Sequence, residues 1–276
     1  MVKFSEFGHL YTSTDGANIS WISVTSAIHH FTQPFDSPKI ALSSSKSKKS
    51  KWYGMTVEAI ETQWKATNTY ALTLGTWYHK LMEDSVLSHQ TMNVDGQELR
   101  IIKPIMEGLD KMAPNQKLEN NTMYPEHLTY LKSVGIIGQS DMVEVVDGYL
   151  NVKDFKTSKE IKTESYTNWE GVRKMMKAPF NHLPDCNLYH YNLQLSLYAY
   201  CILKHNPQLK MGKIIINHIL FEVESRDKFD NPIYKVDAQG NFIVKGTKDY
   251  VVPYLRNESA TMMNYLKNNK IPKKAA

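Results

Sequence analysis

Cysteine is nearly absent from this chain of 276 residues: only Cys186 and Cys201 occur. Two thiols fifteen positions apart build neither a disulfide framework nor a four-cysteine zinc or iron–sulfur cluster within the chain. Reduced thiols in a cytosol-like compartment are the simplest reading. Long apolar runs are missing as well. No window reaches the roughly 18 apolar residues of a membrane span, and the opening "MVKFSEFGHLYTSTDG" lacks the continuous apolar core of a signal peptide. The expectation is a cytoplasmic protein with no membrane partner. An acidic excess is lacking too, because 33 Lys and Arg face 28 Asp and Glu, a balance compatible with a polyanionic partner. The basic residues cluster in "SKSKKSKW" (45–52), "WEGVRKMMKAPF" (169–180) and "NNKIPKKAA" (268–276). The second of these mixes cations with aromatic and apolar groups, as a nucleic-acid groove would.

The composition is that of a globular chain, and the order of its patterns bounds the fold. A hairpin is expected over Phe4–Trp21, then a short strand and a helix capped near Thr25 and ended by Pro34. The Ser/Lys-rich segment Ser43–Ser50 reads as a loop. Met55, Val57, Ile60 and Trp64 predict one helix, "TLGTWYHKLMEDSVL" a second, and Ile101–Leu118 a third helical pattern. The character then changes. Ile136–Val146 and Tyr149–Phe155 are strand-like around Asp147-Gly148, a strong hairpin signal, with another strand just upstream around His127–Val134. A helix over Cys186–His205, a strand over Lys213–Ser225, a peripheral hairpin over Ile233–Gly246 and a helix over Val252–Leu266 complete the pattern. The fold class expected is α/β or α+β, a central mixed sheet flanked by helices in one domain. Within it, residues 1–120 are expected to be mainly helical, 121–225 to form the core, and 226–276 to be peripheral.

Two carboxylates and an ammonium stand where that sheet should carry valine. Asp154 and Lys156 share a strand face while Phe155 points to the other, and the hairpin can bring Asp141 alongside Asp154. Counting from the turn predicts a longer loop or a bulge. Two adjoining carboxylates repel, whereas a divalent cation neutralises both, and oxygen donors suit Mg or Mn. Lys156 can orient or deprotonate a water, or offset charge on a phosphate. The plain alternative is an Asp–Lys salt bridge beside an exposed Asp. His79 and Glu83 are four apart on one helical face, so His79 can add a ligand with Glu83 orienting it. Gly75 allows a close approach. Glu126 can supply another carboxylate. Gln194 and Tyr198, again four apart, can steer the lysine or a nucleic-acid backbone.

Gly138, Asp141, Asp154 and Lys156, preceded by "GTWYH" and followed by the Q-x-x-x-Y of Gln194–Tyr198, resemble the PD-(D/E)XK nuclease superfamily. The similarity is to its RecB-like exonuclease branch, which includes phage exonucleases and the mitochondrial genome maintenance exonuclease. It extends over about Gly75–Glu222. The resemblance implies a restriction-endonuclease-like core and Mg- or Mn-dependent hydrolysis of DNA from its ends. It implies Asp141, Asp154, His79 and the carbonyl of Phe155 as metal ligands, with Glu126 as a further acidic residue. Lys156 becomes the catalytic lysine, helped by Gln194 and Tyr198. Ser140 stands where the motif has proline. Some relatives carry cysteine-ligated iron–sulfur clusters, for which two cysteines do not suffice. Single-stranded DNA, or DNA with free ends, is the partner implied, alongside replication or recombination proteins, and the compartment is the host cytoplasm if the protein is viral. Trp52, Trp64, Trp77, Tyr78 and the Ser45–Lys51 loop would arch over the strand. Three other readings stay open: a structure-specific endonuclease, a double-strand exonuclease, and an inactive DNA-binding or interaction module.

Overall fold

The computed structural model describes residues 2–5, 8, 10–113, 116–269 and 271. In its first part lie β1 (Val2–Ser5), β2 (Leu10–Ser13), β3 (Ile22–Ser23), α1 (Val24–His30), α2 (Ser37–Lys46) and α3 (Val57–Leu87). Then come β4 (Thr91–Val94), β5 (Gln97–Ile101), β6 (Ile105–Glu107), β7 (Asp110–Ala113), β8 (Thr122–Leu131), β9 (Ile136–Val146) and β10 (Tyr149–Lys156). The last part holds α4 (Asn187–His205), β11 (Lys210–Phe221), β12 (Val223–Arg226), β13 (Pro232–Tyr234), β14 (Val244–Val252) and α5 (Arg256–Asn268).

The architecture is mixed α/β, as expected. A mixed sheet runs in the order β14-β11-β10-β9-β8-β5-β4, with β3 pairing beside β9. Alternation along the central strands divides its two faces. Val143, Val145, Leu150 and Val152 bury against Leu193, Leu197 and Ile202 of α4 and against α1. Phe155 and Ile219 turn the other way, under Leu74 and Tyr78 of α3. The chain passes from β10 through α4 to a parallel β11, a crossover that leaves both strands interior. A second sheet, β2-β1-β7-β6, packs Val2, Phe4 and Ala113 against Trp21, Leu128 and Tyr130.

Several expectations change. The first 120 residues are not mainly helical, because among the described residues seven strands accompany three helices. The two helices expected between Met55 and Leu87 are one of 31 residues. The polar run Asn68–Thr69 carries no proline to stop it, and Thr56 caps it by accepting from the Ala59 N–H at 3.2 Å. At 1.5 Å per residue α3 spans about 46 Å. Much of the Ser43–Ser50 loop is the end of α2, which Asp36 caps. The helical pattern over Ile101–Leu118 is instead the β6–β7 hairpin, since Gly108 takes φ 64° and turns the chain between Glu107 and Asp110.

Nor is there a bulge between β9 and β10. Asp147 and Gly148 take φ of 50° and 78°, and a two-residue turn closes Val146 onto Tyr149 with register unbroken through Met142↔Lys153. The irregularity lies between β10 and β11, at Leu150/Val152. Of the Ile233–Gly246 hairpin, a single Val236↔Phe242 bridge forms, and Val244–Val252 joins the main sheet as its edge strand. The N-terminal hairpin forms as β1–β2, shorter than expected. Of the basic stretch 268–276, Lys270 and residues 272–276 lie outside the described residues. Among the described residues no helix is long and apolar enough to cross a membrane.

Candidate metal centre

Strand register builds the site. Asp154 is the next step after Lys153↔Met142, which sets it opposite Asp141. On the other side of β9, the pairs Pro125↔Met142 and His127↔Ser140 flank Glu126 and set it opposite Asp141 as well. Three neighbouring strands therefore carry Glu126, Asp141 and Asp154 in one row. Glu126 holds φ 52°, a left-handed backbone that a non-glycine residue rarely takes in a strand. Such strain concentrates at functional positions.

α3 closes the row from the side. His79 Nδ1 lies 3.2 Å from Asp141 Oδ1, while Asp141 Oδ2 accepts from the Phe155 N–H at 2.7 Å. The ligand atoms of His79, Glu126 and Asp141 lie within 4.8 Å of one another. One imidazole nitrogen among carboxylate oxygens is a donor set that suits Mn or Mg. Gln139 adds a further sign. Its Nε2 donates to Glu126 Oε2, and its Oε1 is buried without a hydrogen-bond partner, an oxygen of the kind a hydrated cation satisfies. The residues present fit a divalent cation.

Asp154 stands beside this triad but turns Oδ2 to Lys156 Nζ, at 2.5 Å. Lys156 is further held by Gln194 Oε1 at 3.3 Å and by the face of Tyr191, 4.6 Å from the ring centre. Gln194 is fixed in turn, donating Nε2 to Tyr198 OH at 3.1 Å and to Thr25 Oγ1 at 3.0 Å. Tyr198 lies beneath the site, buried, where it fills the space over Gly138. A Cβ added at Gly138 would fall 2.3 Å from Tyr198 Cε1, so the glycine of the motif is a packing requirement of α4. Gly75 similarly lets α3 approach the end of β10, near Thr157 Oγ1.

The electrostatics follow from the row of acids. Burial, then the neighbouring Asp141, pushes Glu126 up to about 7 and Asp154 up to about 6. For His79 burial opposes the charged form, but Asp141 and Asp154 outweigh it and hold the imidazole at about 9. Burial likewise opposes the Lys156 ammonium, and Asp154 and Asp141 more than offset that, so its pKa is raised.

All eight predicted residues meet at or just beneath one cleft of about 650 Å³, lined among others by Ala71, His79, Glu126, Asp141, Lys156 and Tyr191. Two assignments change, that of Glu83 and that of the aromatic arch. Glu83, expected to orient His79, pairs instead with Lys111 at 3.2 Å and Lys80 at 3.6 Å. Trp52 and Tyr78, expected to arch over a strand, are packed away: Trp52 stacks on Phe229 and Tyr78 meets Phe155 and Phe221 edge-on. Trp64 and Trp77 also lie against other rings, Trp52 and Phe242. Phe35, Tyr53, Tyr70 and Tyr149 are exposed, and the two most exposed aromatics among the described residues are Tyr166 and Trp169 in the loop between β10 and α4, just before and at the start of the basic stretch 169–180. Sequence reasoning missed Lys111 and Gln139. The Glu107–Asp110 turn around Gly108 was the signal that Lys111 sits on a strand, and Gln139 lies two residues before Asp141 on the same strand face. No family model matches the chain, and comparisons with curated proteins and with solved structures return no match.

Proposed function

We propose that the protein is a Mg- or Mn-dependent deoxyribonuclease of the RecB-like PD-(D/E)XK kind. It would hydrolyse phosphodiester bonds from DNA ends, preferring single strands, in replication, recombination or repair. The observation that carries this reading is the row Glu126–Asp141–Asp154, closed by His79 at one side and Lys156 at the other. The β9–β10 hairpin with its β10–α4–β11 crossover supports a restriction-endonuclease-like core.

His79, Glu126 and Asp141 would hold the cation, with Asp154 next in the row. When bound, it would supply Lewis-acid polarisation of a phosphoryl oxygen and a water made acidic enough to attack. Lys156, its pKa raised by Asp154 and Asp141 over the cost of burial, would donate hydrogen bonds and offset charge developing on the phosphate. Gln194 and Tyr191 fix the ammonium in place, and Tyr198 and Thr25 fix Gln194. Tyr166 and Trp169, exposed beside Arg173, offer ring faces and charge to unpaired bases.

Digestion of DNA labelled separately at each end, with Mn or with EDTA, tests the reading. Linear single strands should release short products only with the metal, and closed circles should survive. Cutting of a closed single-stranded circle would replace end-dependence with endonuclease action. Failure to cut any DNA, with Asp154→Ala leaving DNA binding unchanged, would leave a binding module in place of an enzyme.

A further inference from the structure

Lys111 is a buried cation for which the reaction above has no use. It lies on β7, in the smaller sheet, with its side chain 5% exposed. Its Nζ is 3.2 Å from Glu83 Oε1 and 3.4 Å from Glu126 Oε2. Glu126 is at the same time one corner of the His79–Glu126–Asp141 triad. This carboxylate therefore faces two cation positions, one suited to a metal and one filled by an ammonium. In sites that use two ions, the ions sit about 3.5–4 Å apart and share such a carboxylate. Lys111 stands where the second would need its ligands.

Charge gives the same answer. Glu83, Glu126, Asp141 and Asp154 carry four negative charges when ionised, and Lys111 and Lys156 carry two positive ones. Among these six groups of the described residues, with His79 neutral as a ligand must be, two negative charges remain, the charge of one divalent cation. Lys80 alters this little, since its side chain is 64% exposed and lies closer to Asp84, at 2.8 Å, than to Glu83. A second dication would leave a positive excess around a buried ammonium, or would have to expel it.

We propose that Lys111 takes the place of a second metal ion, so that the centre binds a single divalent cation. This rests on the metal-centre reading above and deepens it. Lys111 acts as a positioning residue: it holds Glu83 and Glu126 without touching the reacting atoms.

The test is equilibrium binding of Mn²⁺ to the full-length protein, followed by the electron paramagnetic resonance of free and bound ion. The wild type and Lys111→Arg should each bind one Mn²⁺ per chain, with no spectrum of a coupled ion pair. Lys111→Met removes one positive charge from between two carboxylates and should admit a second ion, raising the stoichiometry to two. Two coupled ions in the wild type would overturn the proposal even if Lys111→Met failed to fold. So would a folded Lys111→Met that still bound one ion with unchanged affinity. No Mn²⁺ bound by the wild type would instead overturn the metal centre itself, and this proposal with it.

Discussion

Asp185 and Asp154 are both buried aspartates, at opposite ends of the segment that joins β10 to α4, and their surroundings treat them in opposite ways. Asp185 accepts from the Gln33 N–H at 2.9 Å, from His190 Nε2 at 2.8 Å, and pairs with Lys174 at 3.0 Å. Burial disfavours its charge, but these donors prevail and its pKa is lowered. At Asp154 burial and the neighbouring Asp141 outweigh Lys156 and His79, and its pKa is raised to about 6. The first is a finished structural salt bridge that ties the segment after α1, the loop and α4 together. The second is a carboxylate still short of positive charge. Burial alone does not mark a functional acid. What marks it is burial without enough donors, next to another acid.

The contrast can be broken by substitution, and the largest effect is expected at Asp141. Asp141→Asn should lower metal-dependent DNA cleavage by about a thousand-fold, the scale for losing one preorganised charged group, with the folded protein retained. Asp185→Asn should do the reverse. Activity at permissive temperature should persist, while stability falls by about 2 kcal/mol, because charged hydrogen bonds are lost. Parallel assays of cleavage and of denaturant unfolding separate the two outcomes.

A change of pH probes the same difference. Metal uptake must displace protons from Glu126, at about 7, and from His79, at about 9. Mn²⁺ affinity should therefore rise about tenfold per pH unit between 7 and 9, where one proton is released, and level off above. In EDTA the sign for folding is opposite. Both folded pKa values are raised, so their stabilising contribution is full below the ordinary carboxylate range and is lost as pH rises through about 7 and then about 9. Titration calorimetry and thermal melts across this range check both signs.

Smaller effects sharpen the picture. Glu126→Gly should remove metal binding and lower the melting temperature of the metal-free protein, because the buried Lys111 ammonium and Gln139 Nε2 lose a partner, a cost larger than the relief of a left-handed non-glycine backbone, about 1 kcal/mol. Trp169→Ala should weaken single-stranded DNA binding about 5- to 150-fold, following the roughly 1–3 kcal/mol of one stacked base, and leave Mn²⁺ affinity unchanged. Fluorescence anisotropy with a labelled oligonucleotide measures it.

How much of this was legible in the sequence follows from the range of each signal. Asp147-Gly148 is a local instruction that makes the hairpin legible, but the direct opposition of Asp141 and Asp154 differs from the longer loop or bulge expected, because the two-residue turn keeps the register unbroken. Helical spacing brought Gln194 and Tyr198 onto one face of α4 and identified them as partners. Glu126 was placed next to the sheet, but its left-handed backbone depends on the strands around it and has no signature in "YPEHL". Lys111 was hidden for a different reason. Its segment has apolar residues at spacings that mimic a helix, and its partners Glu83 and Glu126 lie 28 and 15 positions away in a chain that no local pattern brings together. The length of α3 was misjudged because a polar stretch looks like a break, whereas a helix needs proline or a competing cap to end.

The central claim is that the row of acids holds a metal with His79. Anomalous diffraction from a Mn²⁺-soaked crystal tests it most directly. A peak is expected within about 2.0–2.6 Å of His79 Nδ1 and of carboxylate oxygens of Glu126 and Asp141. A soaked crystal with no peak there, and with His79 still paired to Asp141 as a salt bridge, would contradict it.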